Sequence, residues 1–153
     1  MNNETFCETL IENGYVVLKR CISPHFISEY KQAITFKLGE LLEEKNVIPK
    51  GDMVSDFLEA TKHFRQFNIQ LEVFKYLTYK EFHIKKFQQP QVLEKLIFAL
   101  GPDLECATEG ELNINVKGVK NDFLVKKAHQ EFWSGCGLNT LQTWNPISIA
   151  EGM

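Results

Sequence analysis

Near its C-terminal end the chain reads Lys127-Ala128-His129-Gln130-Glu131-Phe132-Trp133, which puts an imidazole and a carboxylate on alternate positions. On a strand, alternate side chains leave the same face, so His129 and Glu131 point together while Gln130 points away. A metal can sit between such a pair. Histidine and carboxylate are two members of the 2-His-1-carboxylate triad, which holds Fe(II) and leaves positions open for a cosubstrate and O2. A short motif of this kind also arises as a solvated strand pair, so its surroundings must decide. His25, His63 and His83 lie in the preceding part of the chain and read as packed or surface residues rather than further ligands.

The elements that must position this pair change character at Gly101. Before it the apolar period is helical; after it the period falls to two. Residues 4–12 carry Phe6, Leu10 and Ile11 at helical spacing, and Asn13-Gly14 supplies a left-handed stop. Residues 15–18, Tyr-Val-Val-Leu, read as a short strand. Ser23-Pro24 then caps a long amphipathic helix over 24–45, with Phe26, Ile27, Tyr30, Ile34, Leu38, Leu41 and Leu42 on its stripe. Residues 46–52 form a loop around Pro49 and Gly51, continuing irregularly to Arg65. Residues 68–80 fit a helix, with Tyr76 and Tyr79 as packing groups. Pro90 opens another, with Val92, Leu93, Leu96, Ile97 and Leu100 on one stripe and Gly101-Pro102 ending it.

Residues 111–117 alternate strictly, Leu112, Ile114 and Val116 facing a core and Glu111, Asn113, Asn115 and Lys117 facing away. A turn at 118–122 leads to Phe123-Leu124-Val125, then to the strand 129–133, a Gly135-Cys136-Gly137 loop and a third strand over 138–144. Helices first and antiparallel strands last predict an α+β fold. Residues 1–153 form a single domain, 1–101 a mainly helical shell and 106–153 the strands.

The bulk properties exclude several classes of function. A chain of 153 residues is the size of one domain, and 44% hydrophobic with 24% charged residues is ordinary globular composition. With a net charge of −3 there is no surplus of Lys and Arg to neutralise phosphates, so no nucleic-acid partner is expected. The start Met1-Asn2-Asn3-Glu4 has neither a basic lead nor an apolar run, and no stretch approaches a membrane span, so the expected location is cytoplasmic. Cys7, Cys21, Cys106 and Cys136 are scattered without a C-x-x-C pair and read as thiols in a reducing compartment.

Taken together, the order of the pieces resembles the phytanoyl-CoA dioxygenase family of Fe(II)- and 2-oxoglutarate-dependent oxygenases. The resemblance rests on Glu12-Asn13-Gly14-Tyr15-Val16-Val17-Leu18 before the Ser23-Pro24 helix, a helix ending Leu100-Gly101, the segment 112–117, and Ala128-His129-Gln130-Glu131 followed by Gln142-Thr143-Trp144-Asn145-Pro146-Ile147. It implies N-terminal helices packed on a partial antiparallel double-stranded β-helix, a jelly-roll-like barrel. It further implies His129 as the first iron ligand and Glu131 in the place of the carboxylate ligand. The family usually carries aspartate there, and glutamate, one methylene longer, coordinates only where the strand sits slightly further from the metal. Asn115 corresponds to an amide presented to 2-oxoglutarate and Trp144 to an aromatic beside the cosubstrate pocket; the competing readings are a solvated strand residue and a core tryptophan.

The family's distal histidine and its cosubstrate-binding arginine lie beyond that tryptophan, whereas no histidine follows His129. The resemblance therefore implies the N-terminal portion of such an enzyme, a C-terminally truncated chain. Its expected cofactor is Fe(II), its cosubstrate 2-oxoglutarate, and its reaction the hydroxylation by O2 of a small organic substrate. Open strand edges would allow self-association. Two other readings stand beside this one. The chain is alternatively a non-catalytic remnant or interaction module using an open sheet edge, or a hydrolytic zinc enzyme of another barrel family using His129 and Glu131.

Overall fold

The computed structural model describes residues 1–105, Leu112, Ile114, Val116, residues 140–143, Pro146 and Ile147. Among these are six helices: α1 Asn3–Asn13, α2 Pro24–Glu43, α3 Met53–Ala60, α4 Gln66–Tyr79, α5 Phe82–Phe87 and α6 Pro90–Leu100. Local chemistry sets most of their ends. Asn2 Oδ1 accepts from the Thr5 N–H at 2.7 Å, Ser23 Oγ from Phe26 at 3.1 Å and Asp52 Oδ1 from Ser55 at 2.8 Å, each meeting a donor that the first helical turn leaves unpaired. Pro24 and Pro90 occupy the first turns of α2 and α6, where no amide hydrogen is needed. Helix α1 stops at Gly14, whose φ of 74° lets its N–H return to the Leu10 carbonyl at 2.9 Å.

The core is built around α2, which packs against α3 and α4. Its stripe of Phe26, Tyr30, Ile34, Leu38, Leu41 and Leu42 is buried against Phe57 and Ala60 of α3 and Ile69, Val73 and Leu77 of α4. Leu38 and Leu42 are fully enclosed. At one end Phe26, Tyr30 and Phe82 meet edge-on or tilted at centroid distances of 5.2–5.9 Å, which ties α5 to α2. Helices α1 and α6 pair with one another, and α6 also meets α5.

One charged group is part of this core. Asp56 is 1% exposed, and its two carboxylate oxygens accept from the Lys50 and Gly51 N–H groups at 2.7 and 2.9 Å. A buried carboxylate satisfied by two backbone donors closes the 46–52 loop onto α3.

The α+β expectation is overturned. The described residues are helical, and none of them belongs to a strand, a sheet or a double-stranded β-helix. Residues 15–18 form no strand despite their β-branched composition; Tyr15 and Val17 are exposed, and a strand requires a neighbour to pair with. Residues expected to run irregularly after Asp52 form α3 instead, and α5 was not anticipated. Leu112, Ile114 and Val116 do pack against the helical core, as their alternation predicts, yet none lies in a strand. The Ile114 carbonyl accepts from the side chains of Gln66 and Gln70 of α4.

Candidate functional site

Helix α4 reaches the described part of the later chain through two glutamines. Gln66 Nε2 donates to the Ile114 carbonyl oxygen at 2.9 Å and Gln70 Nε2 to the same atom at 3.3 Å. Gln70 is 4% exposed, in line with Ile69, Val73 and Leu77 on the buried side of the helix. One turn separates the two glutamines, so both amides leave the same face. Leu112, Ile114, Val116 and Ile147 rest partly buried on the core, and the Thr143 hydroxyl is buried without a partner among the described residues.

His129, Glu131, Asn115 and Trp144, the candidate metal ligands and cosubstrate wall, lie outside the described residues. Of their surroundings, the structure places the neighbours of Asn115 against the helical core, and Thr143, before Trp144, half-buried. Imidazole nitrogen and carboxylate oxygen, the donor types in His-x-Glu, are those that a 2-His-1-carboxylate site uses for Fe(II).

The remaining histidines do not add a ligand cluster. His25 faces Glu29 at 3.6 Å on the surface and His63 faces Glu59 at 3.7 Å, with Lys62 on the same carboxylate at 2.6 Å. The Lys62 ammonium, with His63 adding to it, holds the Glu59 carboxyl below the usual range. His83 differs: its Nε2 is buried with no partner among the described residues, and its ring lies 4.8 Å from that of Phe74. Burial, helped by the Lys86 charge, holds its pKa below the ordinary histidine value, so the ring is neutral near pH 7. Among the described residues no three His, Cys, Asp or Glu side chains gather as a metal group. Tyr76 and Tyr79, read as packing groups, lie near the Lys80 ammonium at 5.7 and 5.5 Å, and Tyr76 stacks on Phe36 at 5.8 Å.

Depressions lie on the surface of the described helices. One of about 270 Å³ lies between α2 and α4, lined by Leu41, Phe64, Ile69 and Leu71 with Glu44 and Glu72 at its edge. A larger one of about 770 Å³ is bordered by Asn3, Lys19, Cys21 and Lys95, from the N-terminal residues, the 17–21 segment and α6. No helix among the described residues is long and apolar enough to cross a membrane.

Searches against protein-family models, curated proteins and solved structures each found no match. The residues that sequence reasoning missed are Gln66 and Gln70. Their signal was two amides one turn apart on an otherwise apolar helical face, where a polar group is retained only if something bonds to it.

Proposed function

We propose that this chain serves a 2-oxoglutarate- and Fe(II)-dependent oxygenase reaction on a small organic substrate, with His129 and Glu131 as metal ligands. The observation that supports the reading is the docking of Leu112, Ile114 and Val116 on the helical core, with the Ile114 carbonyl held by Gln66 and Gln70 of α4. In the reading, Asn115 offers its amide to 2-oxoglutarate and Trp144 keeps water from the cosubstrate. Fe(II) with bound 2-oxoglutarate supplies the oxidising chemistry by which O2 hydroxylates the substrate. The chain's own part is to bind, orient and exclude water. The cytoplasm suits this reading, since a reducing compartment keeps both Fe(II) and the free thiols of Cys7 and Cys21.

The test is anaerobic calorimetric titration of 2-oxoglutarate into the protein with Fe(II) present, beside His129→Ala. Saturable heat in the wild type and none in the variant is the expected result. No heat in either removes the reading.

A second reading, a non-catalytic interaction module, is favoured by the apolar side chains that α6 leaves in solvent, Leu93, Ile97, Phe98 and Leu100. It predicts no 2-oxoglutarate binding and concentration-dependent association in sedimentation.

A further inference from the structure

One imidazole in the helical layer sits where its charged form has no support. His83 lies in the first turn of α5, and its Nε2 is buried with no partner among the described residues. Its ring lies 4.8 Å from that of Phe74 of α4, the planes inclined at 39°. A neutral imidazole needs one hydrogen and can carry it on Nδ1, whereas an imidazolium carries a hydrogen on both nitrogens. The second would be enclosed beside Phe74 with no acceptor, the costly case of a buried charge left unpaired.

Helix α5 has little of its own to hold it. It is six residues long, none of them buried, and it starts after Glu81 at a φ of 59° with no side-chain cap. A helix of this length does not persist alone, so its contacts with α4, with α6 and with the Phe26–Tyr30 rings through Phe82 keep it in place. The surrounding charges oppose an imidazolium. Lys85 and Lys86 occupy the last turn of the same helix, Lys80 ends α4, and Glu81 stands before α5. On the packed elements Glu72 pairs with Lys75 of α4 at 2.8 Å, Glu94 with Lys95 of α6 at 3.5 Å, and His25 with Glu29 of α2 at 3.6 Å. Of all these only Lys86 acts on the His83 ring, and it disfavours the imidazolium, as burial does more strongly.

We propose that His83 is an acid-sensitive latch: its neutral ring lets α5 close on Phe74 of α4, and its protonation releases α5 while the core of α2, α3 and α4 stays folded. The released ring, with an ordinary value of about 6.5, takes a proton more readily than the closed one, whose value burial lowers. Closure is therefore favoured in full above about pH 6.5 and is lost as the pH falls through the lowered value. The latch needs neither metal nor cosubstrate and stands apart from the oxygenase reading.

The test is amide hydrogen exchange on the full chain at about pH 7.5 and about pH 5, with the intrinsic rate at each pH divided out, for the wild type, His83→Phe and His83→Leu. Both substitutions keep an apolar contact with Phe74 and cannot charge, and the leucine serves where phenylalanine overfills the site. The amides to read are those of Ile84, Lys85 and Gln88, bonded to the Glu81 and Ile84 carbonyls at 3.1, 3.0 and 3.2 Å. Their protection in the wild type should fall on acidification by at least about threefold, with a ceiling of about thirtyfold set by a histidine of ordinary value in the released state. Amides of α2 should show no such fall, and both variants should lose the pH dependence at α5. An equal fall in the variants, no fall in the wild type, or an equal fall across α2 overturns the latch. Histidine ring resonances followed against pH give an independent reading: the His83 ring should titrate below the ordinary histidine value, and titration at or above it overturns the latch as well.

Discussion

Replacing Asp56 should be among the more damaging single changes in the helical core. Its carboxylate is 1% exposed and accepts the Lys50 and Gly51 N–H groups at 2.7 and 2.9 Å. Hydrogen bonds to a charged group contribute about 1.5–3 kcal/mol each, so Asp56→Ala forfeits roughly 3–6 kcal/mol from the pair. Alanine's better helix propensity returns about 0.5 kcal/mol, and water reaching the partly buried loop amides returns a little more. A net loss of about 3 kcal/mol is expected. Asp56→Asn keeps one acceptor but turns an amide donor towards the second N–H, so it should lose about 2 kcal/mol. Urea denaturation followed by helical circular dichroism at neutral pH measures both. The order wild type, Asn, Ala with these spacings is the predicted result. A loss below about 1 kcal/mol for Asp56→Ala would refute the claim that this carboxylate braces the loop in solution.

Other predictions follow from the same core. Burial pushes the Tyr30 hydroxyl up to about 12, against an ordinary value near 10, so the folded state favours the neutral phenol. That contribution is complete below about pH 10 and is lost as pH rises towards 12, amounting to roughly 2–3 kcal/mol. Tyr30→Phe should therefore gain on the wild type in stability between pH 9 and 12, as measured by denaturant titration at each pH; parallel curves would contradict the assignment. Leu42, fully enclosed between α2 and its neighbours, should lose about 2–5 kcal/mol on truncation to alanine, read by the shift in urea midpoint at constant slope.

Where the sequence was readable, the signal was a cap coinciding with a stripe. Ser23-Pro24 and Pro90 mark the starts of α2 and α6, and Gly14 and Gly101 mark two ends. Helix α3 was hidden because Pro49 and Gly51 announce a loop, while Asp52, the cap that ends it, stands one residue beyond that glycine. The spacing of Met53, Phe57 and Ala60 then gives its buried side. Helix α5 is six residues long and starts after Glu81 at a φ of 59°, which no residue type at that position advertises. The β reading failed for a different reason. Leu112, Ile114 and Val116 meet the core as their alternation leads one to expect, because a period of two is a statement about side-chain direction. It carries no information about what pairs with the backbone, and at Ile114 the partner is a helix face. Of the candidate site, His129 and Glu131 lie outside the described residues, and the contact of Gln66 and Gln70 with the Ile114 carbonyl joins residues distant in the chain, which no local pattern announces.

The central claim is that His129 and Glu131 hold Fe(II) and that 2-oxoglutarate binds on it. Anaerobic equilibrium dialysis of Fe(II) against the wild type, His129→Ala and Glu131→Ala, each with and without 2-oxoglutarate, tests it most directly. The account predicts metal retained by the wild type, held more tightly when 2-oxoglutarate is present because the two affinities are reciprocally linked, and lost in both variants. Equal retention in all three proteins, or retention indifferent to 2-oxoglutarate, would contradict it.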